Sequence, residues 1–303
     1  MASWDGIRSI VRNQLTRGFL RWWACGLFVV GVVFSGPVIA QQPFKQFERQ
    51  VDLELVLAVD VSLSMDSDEQ KLQRNGYVAA FRDRAIHKAI QSGPNGRIAV
   101  TYLEWAGAGI QAVVVPWRII ETPDDAIKFA DELEAQTIPR AVMTSISAAL
   151  DVSRMLFGKS PVKGLRKVVD VSGDGPNNSG GPVEGARDKL VADGIVVNGL
   201  AIQIKRGVGA YSYFDLADLD RYYADCVIGG PGSFVLSIKK KSEFATAIRQ
   251  KLLLEIAGRR PAADPARIIK AQASSRGNSE PKYDCLIGEK MWNRYLRDRG
   301  DQW

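Results

Sequence analysis

The chain of 303 residues has one histidine, His87, and three cysteines. Zinc sites take most of their ligands from His and Cys, so a His-rich zinc enzyme is excluded. A serine hydrolase lacks both its parts: there is no Gly-x-Ser-x-Gly elbow around Ser172 and no imidazole to spare. His87 shares a helix face with Asp83, Arg84, Lys88 and Gln91 and reads as solvated. Positive charge is scarce where a nucleic-acid groove would need it. Of the formal +6, residues 1–40 hold +3 and residues 259–303 hold +4, which leaves −1 for the middle. Clustered cations are the footprint of phosphate binding, so no nucleic-acid partner is expected. The Gly- and Asn-rich stretch Gly175–Gly181 lacks the Lys-Ser/Thr that ends a P-loop and reads as a flexible loop. A calcium EF-hand starting at Asp60 would need Gly and Glu where Met65 and Lys71 stand.

What is present is an ordinary folded composition, 46% hydrophobic and 24% charged. Arg8, Arg12, Arg17 and Arg21 precede an apolar run of 13 residues from Trp22 to Phe34. That run is short of the ~20 residues that span a bilayer. With Ala40 as the cut site, residues 1–40 read as a signal peptide. The expected location is periplasmic or secreted, with membrane contact only if the N-terminal segment stays uncleaved. Cys25 would leave with the signal. Cys226 and Cys285 remain as a candidate disulfide. Closing a loop of about 60 residues would add roughly 3–4 kcal/mol. Two free thiols are the alternative.

Residues 41–258 read as the main domain and 259–303 as a basic C-terminal extension with a short amphipathic helix around Met291–Leu296. Leu53–Val59 is nearly all apolar, as in a parallel strand buried on both faces. Ser67-Asp68-Glu69-Gln70 fits a capping box, followed by helical spacing from Tyr77 to Ile90. Ile98–Leu103 and Ile110–Val115 read as a hairpin. Asp124–Glu134 and Thr144–Phe157 read as helices, the latter with Ile146, Leu150 and Met155 inward. Lys167–Val171, Ile195–Ile202 and Ser233–Ile238 read as strands. A helix at Val183–Asp193 and another capped by Ser242 and stopped by Gly258 complete the order. The expected fold class is α/β: a doubly wound, mostly parallel sheet with helices on both faces and one antiparallel edge strand.

Ligands in such sheets bind at the carboxyl ends of the strands. The first strand ends in Asp60-Val61-Ser62-Leu63-Ser64. The Lys167–Val171 strand runs into Ser172-Gly173-Asp174-Gly175, and Thr144 starts a helix on the same side. Two carboxylates and three hydroxyls form an all-oxygen donor set, which suits hard divalent cations. Asp60-x-Ser62-x-Ser64, Thr144 and Asp174-Gly175 resemble the metal-ion-dependent adhesion site of von Willebrand factor A (VWA) domains, over about residues 50–258. Tyr102–Gly107 and Val227–Gly232 resemble an exported bacterial branch known as a domain of unknown function. Leu63, Met143 and Gly173 depart from the residues usual there, which are Gly, Gly and Thr.

The resemblance implies a Rossmann-like VWA fold and a metal site at Asp60, Ser62, Ser64, Thr144 and Asp174. Ser62 and Ser64 would bind Mg²⁺ (or Mn²⁺/Ca²⁺) directly, Thr144 directly or through water, and Asp60 and Asp174 largely through waters and hydrogen bonds. The partner would be a protein or peptide presenting Asp or Glu. Trp105 and the pair Tyr211/Tyr213 are candidates for an apolar rim around that partner; burial of Trp105 in the core is the alternative. The expected function is therefore an exported, non-enzymatic, metal-dependent binding module. Two other readings remain: a metal-assisted hydrolase with Glu104 as its base, and a scaffold whose site holds no metal.

Overall fold

The computed structural model describes residues 49–204, 214–258, 268–270 and 282–300. Gln50–Asp60 forms β1, and all but its first residue are buried. Successive side chains of a strand point to opposite faces. Leu53, Leu55, Leu57 and Val59 therefore enter one hydrophobic cluster, and Val56 and Ala58 enter a second. A strand apolar on both faces must be central, and β1 is. The sheet order is β3-β2-β1-β4-β5-β6-β7, with β2 at Ile98–Trp105, β3 at Gln111–Ile120, β4 at Lys163–Gly173, β5 at Val196–Ile202, β6 at Phe234–Ile238 and β7 at Ile268–Lys270. Strands β2, β1, β4, β5 and β6 are mutually parallel. β3 is antiparallel, as the hairpin spacing predicts. A second antiparallel strand, the three-residue β7, covers the other edge of the sheet. It comes from a stretch that carries no strand signal in the sequence.

On one face lie α1 (Ser67–Phe81), α2 (Arg84–Gln91), α3 (Pro123–Glu134) and α7 (Phe244–Ala257). The other carries α4 (Ile146–Gly158), α5 (Val183–Ala192) and α6 (Leu219–Tyr222). A single π-helical turn, Tyr223–Val227, continues α6. The last helix, α8, spans Ile287–Gly300. Chain order reverses between β1 and β4: β2 and β3 build outward on one side, β5 and β6 on the other. That reversal opens a crevice above the carboxyl ends of β1 and β4. Among the described residues no helix is long and apolar enough to cross a membrane.

Several local expectations change. The helical spacing from Tyr77 to Ile90 belongs to two helices. Asp83 breaks them because its carboxylate accepts the Ala85 amide at 2.6 Å and caps α2. The cap of α1 is Asp66 rather than Ser67, paired with Glu69 in a capping box. No side chain caps α7; Ser242 sits in a short 3₁₀ turn before it. Helix α4 starts at Ile146, with Ser145 as its cap. Met155 is 57% exposed, because Ile146, Leu150, Ser153 and Phe157 define the inward face and Met155 falls opposite. His87 is buried, and its Nε2 donates to the Phe81 carbonyl at 2.7 Å. The break between α1 and α2 turns it onto an open helix end, where carbonyls need donors.

Candidate functional site

Asp60 closes β1 and Gly173 closes β4, in neighbouring parallel strands where Val59 pairs with Ser172. The register therefore delivers Asp60 and Asp174 side by side at the crevice. Asp60 is buried, and its Oδ1 accepts the Ser62 amide at 2.7 Å. This local turn folds the chain back so that both serines face inward. Ser62 Oγ lies 2.6 Å from Ser64 Oγ, and Ser64 Oγ donates to Asp174 Oδ1 at 2.6 Å. Two hydroxyls and a carboxylate thus form one continuous chain of oxygens. The Ser62 loop is tied to the next one: Leu63 donates to the Ala141 carbonyl at 2.8 Å, and Arg140 Nη2 to the Met65 carbonyl at 3.0 Å.

Thr144 enters from that second loop and is buried. A Cβ added to Gly175 would lie 3.9 Å from its Oγ1, so its hydroxyl faces the Asp174-Gly175 turn. The backbone of Thr144 is pinned twice by Asn178: its amide donates to Asn178 Oδ1 at 2.8 Å, and its carbonyl accepts the Asn178 amide at 2.8 Å. The Gly175–Gly181 segment is therefore a hydrogen-bonded frame, in correction of the flexible loop its composition suggests. Asn residues can bond their neighbours' backbone as well as make turns.

Two departures from the VWA pattern have physical accounts. Met143 has φ of 71°, a left-handed conformation that explains why Gly is usual there. At Gly173 a Cβ would lie 2.8 Å from the Tyr223 hydroxyl and 2.9 Å from Asp60 Oδ2. The bare α-carbon lets Tyr223 of the π turn approach Asp60. Burial first, and then the charge of Asp60, pushes the Tyr223 hydroxyl well above its ordinary value, so it stays protonated. Leu63 is half-buried, and no feature of its surroundings explains its presence there.

Helix α1 supports the strand ends from below. Gln70 Nε2 donates to the Ser62 carbonyl at 3.0 Å, and Gln73 Nε2 to Ser172 Oγ at 2.8 Å. Sequence reasoning missed Gln70, Gln73, Asn177, Asn178 and Tyr223. The capping signal before α1 and the Asn pair were visible, but their targets lie far away in the chain. Trp105 is fully buried in the core beneath α4, in correction of a partner rim. Every residue of β2 is buried, because helices cover both faces of that strand. Tyr211 and Tyr213 lie outside the described residues. Glu104 forms a buried ion pair with Arg74, which also donates to the Leu133 carbonyl at 3.0 Å. Burial raises the Glu104 carboxyl, but its position inside β2 commits it to the core. A cleft of about 710 Å³ opens beside Asp174, with Ile202, Ile204 and Leu216 in its wall and Lys239 in its lining.

The family model described as "Protein of unknown function (DUF1194)" matches residues 50–260. The chain belongs to this family. No curated protein sequence matches it. The strand order, the antiparallel β3 and the motif at the β1 end give this DUF1194 member a VWA-like fold. Among solved structures, the pilus adhesin SpaC from Lactobacillus rhamnosus GG has a TM-score of 0.50 at 13% identity, covering 69% of this chain and 31% of that one. A von Willebrand factor type A protein from Catenulispora acidiphila scores 0.48 at 14% identity, covering 68% and 43%. Proximal thread matrix protein 1 from the mussel byssus, solved with a zinc-occupied MIDAS motif, scores 0.47 at 19% identity, covering 69% and 49%. The DUF1194 chain thus spans half or less of these proteins, and the likeness is one of fold.

The donor set of the site fits a hard cation. Adjacent ligands of an octahedral Mg²⁺ at 2.0–2.1 Å stand about 2.9 Å apart. The hydroxyl and carboxylate oxygens here are 2.6 Å apart, so a few tenths of an ångström separate the two arrangements. Among the described residues there is no cluster of three or more His, Cys, Asp or Glu suited to a metal.

Proposed function

We propose that this chain is a binding module that takes a divalent cation, Mg²⁺ or Mn²⁺ or Ca²⁺, at the β1/β4 crevice and captures a partner's carboxylate there. The observation that carries this reading is the unbroken Ser62–Ser64–Asp174 chain of oxygens at 2.6 Å spacing. Ser62 and Ser64 would offer hydroxyl oxygens, Asp174 and Asp60 negative charge, and Thr144 a third hydroxyl from the facing loop. A cation held there supplies a positive centre that an Asp or Glu side chain of a protein or peptide can complete. The cleft beside Asp174 gives such a partner room on one side, between Asp215 and Lys239. The chain does not act as a catalyst in this reading, because Glu104, the base a hydrolase would need, is paired with Arg74. Export fits the Cys226–Cys285 disulfide, since such bonds persist in oxidising compartments. The basic and apolar N-terminal segment agrees with a periplasmic or secreted location.

The test is a thermal melt of the purified chain in EDTA and in millimolar Mg²⁺, Mn²⁺ or Ca²⁺. A ligand at about 100 times its Kd adds roughly 2.7 kcal/mol, or about 5–10 °C for a domain of this size. That rise is expected in the wild type and not in Asp60→Ala or Asp174→Ala. A melt that no metal moves would overturn the reading.

A further inference from the structure

We infer that helix α8, held by the Cys226–Cys285 disulfide, is a strut for the candidate metal site: Glu289 fixes Asn177, and through it the loop that positions Thr144. The cation reading above gives this strut its purpose. Helix α8 lies beyond the part of the chain that the family model matches, and the disulfide brings it in. Cys226 sits in the π turn, and Cys285 precedes α8 by two residues, with the two Cα atoms 5.5 Å apart. Tyr283 strengthens the attachment: its amide donates to Asp225 Oδ2 at 3.1 Å and its hydroxyl to Asp218 Oδ1 at 2.8 Å. Lys282 pairs with Glu184 of α5.

The first turn of α8 then meets the site loop without a gap. A Cβ at Gly288 would lie 2.0 Å from the Asn177 carbonyl oxygen, so the two backbones touch and only glycine fits. The next residue, Glu289, accepts from Asn177 Nδ2 at 2.7 Å. A carboxylate acceptor makes this bond stronger than one between neutral groups. The side chain and the backbone amide of Asn177 make further bonds. Its Nδ2 also donates to the Gly181 carbonyl at 3.1 Å, its Oδ1 accepts the Ser147 amide at 3.0 Å, and its own amide donates to the Tyr222 hydroxyl at 3.1 Å. Asn177 is wholly buried. Its neighbour Asn178 makes the two bonds that pin the Thr144 backbone. The path from α8 to Thr144 therefore has three links, Glu289 to Asn177, Asn177 to Asn178 along the chain, and Asn178 to Thr144. Tyr222, the last residue of α6, meets the path at Asn177, and Cys226 of the π turn that follows anchors the base of α8. Turns of this π type often occur at functional sites.

The experiment compares the full chain with Glu289→Ala, Glu289→Gln, Glu289→Met and the double variant Cys226→Ala/Cys285→Ala. Mn²⁺ affinity is read by calorimetry, and hydrogen–deuterium exchange is read on the metal-free proteins. Glu289→Ala is expected to weaken Mn²⁺ binding about tenfold and to speed exchange at 141–145 and 174–181 alone. Glu289→Gln keeps an acceptor oxygen and is expected to restore most of both, whereas Glu289→Met keeps the volume without the acceptor and is expected to behave like Glu289→Ala, which a role in bulk packing would not produce. The double cysteine variant is expected to reproduce Glu289→Ala. If the wild type binds Mn²⁺ and Glu289→Ala binds it equally well, the strut is overturned while the metal reading stands. Should the wild type bind no metal, the metal reading fails and exchange decides the strut: unchanged rates in the two loops overturn it, and faster rates support it.

Discussion

Two of the clusters of buried carboxylates among the described residues have different surroundings. Midway along β4, Asp170 faces Lys251 Nζ at 2.5 Å, and Glu255 lies 2.6 Å from the same nitrogen. All three side chains are sealed from water, and Asn198 Nδ2 donates to Glu255 Oε1 at 3.0 Å. At the carboxyl edge of the sheet, Asp60 accepts a backbone amide and Asp174 accepts a serine hydroxyl. The core cluster carries its own cation. The edge cluster sets its carboxylates among serine hydroxyls. Burial alone does not mark a functional acid; the chemistry of the neighbours does.

The largest effect is expected from removing the cation of the core. Lys251→Met leaves a buried carboxylate charge without its cation, which costs about 3–5 kcal/mol in such settings. Urea unfolding is expected to show that loss with Mg²⁺ present or absent. A rescue by metal would mean that the two clusters are not separate. At the edge, Gly173→Thr installs the residue more usual in VWA domains. Its Cβ would crowd the Tyr223 hydroxyl and Asp60, so a loss of about 1–3 kcal/mol is expected. An unchanged melting temperature would mean that Tyr223 moves aside at no cost. Met143→Gly removes a side chain from a left-handed backbone and is expected to stabilise the fold by about 1 kcal/mol, seen as a rise in Tm of a few degrees.

The last effect is a slope with pH. Burial, and after it the charge of Asp170, pushes the Glu255 carboxyl up to about 7. Burial also raises Asp170, although Lys251 opposes it. One ammonium facing two carboxylates balances when one of them keeps a proton. The folded chain thus holds a proton that the unfolded chain releases near the ordinary Glu value. The stability this proton provides is complete below about pH 4.5 and is lost as pH rises through about 7. Glu255→Gln is expected to shrink the difference between melts at pH 5 and pH 8. An identical slope in wild type and variant would remove Glu255 as its source.

Several features of this molecule could be read from residue order alone. The apolar run that becomes β1 fixes a central strand, because a chain buried on both faces has nowhere else to go. Turn residues between Ile98 and Val115 specify the hairpin. The spacing of Asp60, Ser62 and Ser64 is local, so a single turn suffices to place them. Asp174 follows its own strand, and the rule for strand ends puts it beside Asp60. The short strand β7 carries too little pattern to be seen, and Met155, His87 and Trp105 depend on which neighbours cover them.

Sequence by itself thus determined the α/β class, the order of the parallel strands' chemistry and the identity of the five candidate ligands. The class follows from period-two and period-3.6 patterning, and the ligand set from the rule for strand ends together with the resemblance to the VWA site. Only the tertiary structure decided that Tyr223 occupies the space left by Gly173, that Asn178 pins Thr144, and that α8 returns under its disulfide to bear on Asn177. Each of these joins positions from 34 to 112 residues apart. A contact of that span leaves no periodic trace in the chain, because it is set by where the strands deliver their ends and not by the residues next door.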